Sequence, residues 1–295
     1  MRTLKKAKQD LKEKSMLTEI AFFGGSFTAI DREYMISLLE AAKTFLPDFY
    51  GIRISTRPDY IDDEILSILK EYKVTSIELG AQSMDNSVLE LNNRGHSAED
   101  VVNASNLIKS RGFSLGLQMM TGLYGATPEK DLATAKKIIE LKPDTVRIYP
   151  TVVMKNTDLA EYYLNGSFVP YTLEESVSLC STLILLFAKA DIKIIRLGLH
   201  YSDSLVKNSL DGNYHPAFKE LCESRILYNS FLSKAKSFSG KKLIVKINPK
   251  SLSKFLGQKK RNLILFREMG YEPEIQFDDT LDKYDLGVYN ATEIS

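Results

Sequence analysis

Short β-branched apolar runs alternate with longer amphipathic segments over residues 1–200. Strand candidates are residues 19–23, 51–55, 76–79, 114–119, 145–149 and 192–199. Each is nearly continuous in apolar side chains, the pattern of strands covered on both faces. Helix candidates lie between them. Residues 31–46 place Met35, Leu38, Leu39, Ala42 and Phe45 on one stripe, and residues 62–72 do the same with Ile65, Leu66, Ile68, Leu69 and Tyr72. A Ser-x-x-Asp start at Ser97 and a stop at Gly112 bracket a third helix. Thr127 and Pro128 open a fourth, and the Thr172/Glu175 box opens a fifth over 172–190. Strand starts recur near the ~30-residue period of a βαβ unit. This predicts a parallel α/β sheet or barrel with helices outside. The chain opens on a basic amphipathic helix, residues 4–14, and not on a strand, which suggests that the strand preceding this series is absent.

Beyond residue 200 the pattern changes. Residues 242–247 and 272–277 read as strands, with a turn and helix over 248–266. Residues 237–240, Ser-Phe-Ser-Gly, read as a linker. The expected organisation is a barrel over 1–200, a connecting helical segment over 201–237 and a small α+β module over 238–295.

Composition narrows the classes. A 44% hydrophobic and 26% charged chain of 295 residues is ordinary for a soluble globular protein and argues against disorder. No apolar stretch approaches the ~20 residues of a membrane span, and no secretory h-region follows the basic start, so a cytoplasmic protein without membrane contact is expected. Two cysteines, Cys180 and Cys222, exclude a disulfide scaffold, a four-cysteine zinc site and an iron–sulfur cluster held by three cysteines of this chain. The net charge of +1 hides an asymmetry. Residues 231–265 carry ten basic and no acidic residues, so the rest of the chain is net acidic.

Candidate chemistry gathers where strands end. Gly24-Gly25-Ser26-Phe27-Thr28 follows the first strand, and two glycines let a backbone approach a ligand closely. The lysine of a Walker loop is missing there. Residues 53–60, Arg-Ile-Ser-Thr-Arg-Pro-Asp-Tyr, and 78–83, Glu-Leu-Gly-Ala-Gln-Ser, end the next two strands. In a barrel such ends face the ligand. Glu78 lies within an apolar strand and needs a partner, for which Arg53 and Arg147 are the candidates. Arg94 sits in a polar turn, suited to a carboxylate, and Gln118 is an uncharged donor and acceptor near another strand end. His96, His200 and His215 lack metal-ligand spacing, Cys222 reads as packing within a helix, and no Gly-x-Ser-x-Gly elbow occurs. No metal site and no catalytic residue are assigned.

Taken in order, these segments resemble the radical S-adenosylmethionine (SAM) superfamily, in the branch of bacterial proteins similar to the catalytic subunit of Elongator; the coproporphyrinogen dehydrogenase branch is more distant. The resemblance implies a partial (β/α)6 barrel lacking its first strand, with SAM across the C-terminal strand ends. It implies SAM contacts from Gly24, Gly25, Ser26 and Thr28, from Gln82 and Arg94 toward the ribose and methionine carboxylate, and from Gln118 near the ribose. Ser55 stands where relatives often have Glu. Relatives hold a [4Fe-4S] cluster on a Cys-x3-Cys-x2-Cys loop, and reductive cleavage of SAM at that cluster generates a radical that modifies an RNA or small molecule. Those ligands are missing here, which describes an N-terminally truncated or cluster-less member. An exposed edge at the first strand is then a surface for self-association, or for a chain that carries the cluster loop.

The tail resembles a KH module, whose Gly-x-x-Gly loop clamps nucleic acid, with Lys260 in place of the second glycine. Lys254, Lys259, Lys260 and Arg261 are the candidate phosphate contacts, and RNA, including tRNA, is the candidate substrate. The alternatives are a non-catalytic RNA-binding protein or a barrel that binds SAM without radical chemistry.

Overall fold

The computed structural model describes residues 2–212 and 214–290. It divides into two compact units. The first comprises the described residues up to Pro170 together with Leu186–Leu197. The second comprises Tyr171–Leu185 and the described residues from Gly198 onward.

The first unit is built on six parallel strands, β1 (Glu19–Phe22), β2 (Gly51–Thr56), β3 (Val74–Gln82), β4 (Ser114–Thr121), β5 (Thr145–Pro150) and β6 (Lys193–Leu197). They pair in simple chain order as a curled parallel half-barrel sheet. All six were predicted from the apolar runs, with ends displaced by a few residues. Helices α1 (Arg2–Leu11), α2 (Arg32–Lys43), α3 (Asp63–Glu71), α4 (Asn86–Leu91), α5 (Ala98–Ser110), α6 (Pro128–Glu140) and α7 (Asp158–Leu164) accompany them. The capping residues explain their starts. Asp31 and Asp62 accept from the backbone amides of Tyr34 and Ile65, Ser97 and Asp100 form a reciprocal capping box, and Thr127 precedes Pro128.

The core lies between sheet and helices. Ile52 and Ile54 of β2, Ile77 and Leu79 of β3, Leu117 of β4 and Ile148 of β5 are fully buried with Leu39, Leu69, Ile108 and Ile138 from the helices. The alternate residues carry the opposite face. Arg53, Ser55, Gln118, Arg147 and Tyr149 are only partly buried. Alternation within parallel strands therefore separates an apolar helix-covered face from a polar inner one. Among the described residues, β1 pairs with β2 alone and forms the sheet edge.

The second unit contains part of α8 (Leu173–Lys189), α9 (Asp203–Asn208), α10 (Phe218–Ala235) and a three-stranded sheet of β7 (Lys242–Ile247), β8 (Glu272–Phe277) and β9 (Leu286–Asn290). β7 is central, parallel to β8 and antiparallel to β9. Two departures from expectation stand out. The region 248–266 folds as two helices, α11 (Leu252–Leu256) and α12 (Arg261–Glu268), with residues 257–260 between them. α10 is not a connector: Leu227, Phe231 and Ala235 share a core with Leu243, Val245, Phe255, Phe266 and Leu286. The segment 237–240 therefore joins two parts of one core. Among the described residues no helix is long and apolar enough to cross a membrane.

Candidate functional site

The inner face is organised around Glu78, which is 1% exposed. Arg147 donates to it twice, Nε to Oε2 at 2.6 Å and Nη2 to Oε1 at 2.9 Å. Arg53 donates Nη1 to Oε1 at 3.0 Å, and Gln118 donates Nε2 to Oε2 at 3.0 Å. Both partners expected from sequence are thus present. Gly116 makes the room, because a Cβ there would lie 2.7 Å from Glu78 Cγ. Arg53 also donates Nε to Glu19 Oε2 at 2.6 Å. Thr75 and Ser76 donate to the other Glu19 oxygen, at 2.8 and 2.5 Å. Burial opposes ionisation of Glu19, but the bonds from Ser76, Thr75 and Arg53 outweigh it and hold its carboxyl below the usual range. Two carboxylates and two arginines thus bridge β1, β2, β3 and β5. Glu19 was not singled out from sequence, since it reads as the polar start of a strand.

This network settles what two candidates can offer. The Gln118 amide nitrogen serves Glu78 and, at 3.1 Å, Ser55 Oγ. Its carbonyl oxygen and the Ser55 hydroxyl hydrogen remain available to a ligand. The Arg147 guanidinium also lies 4.8 Å from the Phe23 ring centroid and so touches the loop that follows β1. In that loop Gly24 has φ +113°, and a Cβ added at Gly24 or Gly25 would meet nothing within 4 Å. The loop backbone is open, with Ser26 half-buried behind it.

Thr28 departs from its expected role. It is buried, and its hydroxyl donates to the Tyr60 carbonyl at 2.7 Å. It lies 2.6 Å from the Thr56 hydroxyl, which donates to it in turn. Thr28 therefore ties the β1 loop to the β2 loop, and its hydroxyl hydrogen is taken by the Tyr60 carbonyl.

Gln82, at the C-terminal end of β3, has φ +62°, a left-handed conformation that costs ~1–2 kcal/mol for a residue with a Cβ. Its side chain folds toward Gly80, where a Cβ would lie 2.7 Å from Gln82 Nε2. The next loop is held by buried His96, whose ring nitrogens lie 3.2 Å from the Ala81 carbonyl and 3.3 Å from the Arg94 carbonyl. Arg57 supports it further, donating to the Gly95 carbonyl at 3.1 Å while paired to Asp59. Neither His96 nor Arg57 was assigned this positioning role from sequence.

Arg94 is the anomaly of the site. It is half-buried, and among the described residues it makes no salt bridge and its buried Nε finds no hydrogen-bond partner. Burial, and then the neighbouring Arg57 charge, pull its pKa below the ordinary arginine value. A guanidinium so placed calls for an anion. Because the sheet is parallel, the β1 loop, the β2 loop and the β3 end emerge at one edge of it, with the Arg94 loop following β3 through α4.

The basic candidates of the second unit separate. Lys254 is turned inward, 3.5 Å from the carboxylate of buried Glu223, and is not an exposed phosphate contact. Lys259, Lys260 and Arg261 are exposed, and they flank the expected turn between α11 and α12.

A curled parallel sheet with a polar inner face and open loops at its C-terminal edge is the architecture of a barrel that takes its ligand at the strand ends. The chain belongs to the radical SAM superfamily: the superfamily model matches residues 2–138, and the model of the Radical_SAM C-terminal domain matches residues 143–227. It is 34% identical over 185 residues to a tRNA uridine(34) acetyltransferase of Methanocaldococcus jannaschii, covering 55% of this chain and 34% of the relative. It is 30% identical over 190 residues to human Elongator complex protein 3, covering 57% and 35%. The solved structure of the Methanocaldococcus infernus Elp3 with an N-terminal deletion aligns at TM-score 0.64 and 26% identity, over 79% of this chain and 58% of that one. The chain thus spans about a third of the length of these curated relatives.

The family's two cofactors fit this chain differently. Arg94 with its orphaned Nε, the Gln118 oxygen and the Ser55 hydroxyl suit a zwitterionic, hydroxyl-bearing ligand such as SAM. The cluster does not fit the described residues. Cys180 and Cys222 are both fully buried in the second unit, and burial, then the contact with Cys180, raises the Cys222 pKa far above the ordinary thiol value. Among the described residues no group of three or more His, Cys, Asp or Glu is arranged to hold a metal.

Proposed function

We propose that this chain provides the SAM-binding half-barrel of a tRNA-modifying radical SAM system, related to Elp3. Half-buried Arg94, without a counter-ion among the described residues, carries the reading. Arg94 receives the methionine carboxylate; Gly24, Gly25 and Ser26 receive the methionine amino group through the loop backbone; Gln82 and Gln118 take the ribose, and Ser55 donates a hydroxyl beside Gln118. When bound at a cluster in this family, SAM is a source of radical chemistry. The residues of this chain bind and orient it. Glu78 fixes Arg147 and Gln118, and Arg147 supports the β1 loop through Phe23. The relatives' names supply the substrate class, tRNA. The unpaired edge of β1 offers a pairing surface to a further strand or a chain bearing cluster ligands.

Equilibrium dialysis with labelled SAM tests the reading. Saturable binding is expected, with Arg94→Ala weakening it at least ~10-fold, the loss of one charge-assisted hydrogen bond. Absence of binding, or an unchanged affinity in Arg94→Ala, would overturn it. The non-catalytic RNA-binding alternative predicts RNA affinity without SAM affinity.

A further inference from the structure

The second unit contains a groove of about 740 Å³ between the start of α8, one side of α10 and the α11–α12 turn. It lies outside the SAM-binding elements and has the size of a small-ligand pocket. Its lining includes Tyr228, Arg225 and Asn262 together with Lys259 and Arg261.

Asn262 is 8% exposed. Its amide nitrogen donates to the Phe255 carbonyl at 3.0 Å, to Ser224 Oγ at 2.9 Å, and to the Lys254 and Ser224 carbonyls at 3.3 and 3.4 Å. Three carbonyl acceptors fix which end is nitrogen. The side-chain oxygen is left without a donor among the described residues, on a residue that lines the groove. That oxygen is open to solvent and can accept from a ligand in the groove.

The lip is cationic for a specific reason. Of the ten basic residues in 231–265, five have a partner among the described residues. Lys234 donates to the Leu286 carbonyl, Lys241 and Lys246 lie over Tyr271 and Tyr289, Lys242 pairs with Glu272, and Lys254 pairs with Glu223. Lys259, Lys260 and Arg261 have no acidic partner among the described residues and are consecutive. Lys259 and Lys260 have φ +51° and +59°, so they sit on a tight left-handed turn. The other walls are flat. Tyr228 stacks on Phe266 at 5.3 Å, and the Arg225 guanidinium lies 5.7 Å from the Tyr228 ring while paired to Glu174. A cationic lip, flat walls and a neutral acceptor match a nucleotide: phosphate outside, with a sugar hydroxyl or base N–H within.

We infer that this groove binds single-stranded RNA, its backbone phosphates on Lys259, Lys260 and Arg261 and a hydroxyl or base donor on the Asn262 oxygen. The choice of RNA rests on the substrate class proposed above; the groove itself asks for phosphate and a donor.

The test is fluorescence anisotropy of a labelled single-stranded 12-nucleotide RNA with the whole chain. Lys259→Glu/Arg261→Glu is expected to weaken binding at least ~10-fold and to flatten its salt dependence. Lys236→Glu/Lys250→Glu makes the same charge change at lysines outside the groove lining and is expected to stay within ~2-fold. Lysine-acylation footprinting of the unaltered chain should show Lys259 and Lys260 protected by RNA. This readout is independent of whether the variants fold. No RNA binding, equal losses in both double variants, or no protection would overturn the inference. Equal affinity for DNA of the same sequence would overturn the choice of RNA. SAM binding by the same variants is expected to be unchanged, so failure of the groove is distinct from failure of the cofactor reading.

Discussion

A carboxylate 1% exposed inside a parallel sheet is stable only with its charge answered in place. Glu78 meets this condition with two arginines and an amide. Removing Arg147 leaves one arginine facing both Glu78 and Glu19. Arg147→Met is therefore expected to destabilise the chain by about 3 kcal/mol in chemical denaturation, within the range for breaking a buried pair. Arg147→Lys should recover only part, because an ammonium cannot reproduce the two-pronged contact. An effect under ~0.5 kcal/mol would show that the network is not stabilising. The need for Arg53 and Arg147 was legible in sequence, since a carboxylate in an apolar strand implies a partner. The need of Glu78 for Gln118 was not, because a polar residue at a strand end reads equally well as a ligand contact. Thr28 misled for the same reason: a threonine beside two glycines does not reveal that its hydroxyl bonds to the Tyr60 carbonyl.

At the scale of elements, six strands and helices α1, α2, α3, α5 and α6 of the first unit followed from apolar runs and capping residues, whereas the short α4 and α7 did not. The tail was less legible. β9 carries Gly287 and Tyr289 in a short run with little apolar signal, and it is a strand because β7 offers it an antiparallel edge. α10 was read as a connector because its apolar face is visible only against the sheet it covers. The same helix supplies buried Glu223, which accepts from Lys283 Nζ at 2.5 Å and Tyr284 Oη at 3.0 Å and pairs with Lys254. Burial opposes ionisation of Glu223, but Lys283, Lys254 and Tyr284 outweigh it and hold its pKa below the ordinary 4.5. A pKa lower in the folded than in the unfolded state means the stabilisation is complete above the unfolded value. It is lost as pH falls through the folded value. Glu223→Gln should therefore cost about 2 kcal/mol near neutral pH, with the gap to the parent closing below about pH 4.5. Thermal unfolding across pH 3–7 reads this directly, and a gap independent of pH would contradict it.

For the whole molecule, each unit presents cationic side chains without an acidic partner among the described residues. In the first, Arg94 is a half-buried cation whose Nε has no partner among the described residues. In the second, an unpaired basic turn stands beside a groove with an open acceptor. Composition indicated the second, through ten basic residues without an acid, but not which of them were free. The first was legible only through the resemblance of ordered strand-end segments, since an arginine in a polar turn reads as a surface residue. What sequence could not give was burial, and burial turns Arg94 from a surface charge into a binding determinant. The central claim is that Arg94 receives the carboxylate of SAM. Equilibrium dialysis of the parent chain and Arg94→Ala, each with SAM and with decarboxylated SAM, isolates that contact. The parent is expected to prefer SAM by at least ~10-fold, and Arg94→Ala to bind the two forms alike. Equal binding of both forms by the parent, or a preference that survives in Arg94→Ala, would contradict it.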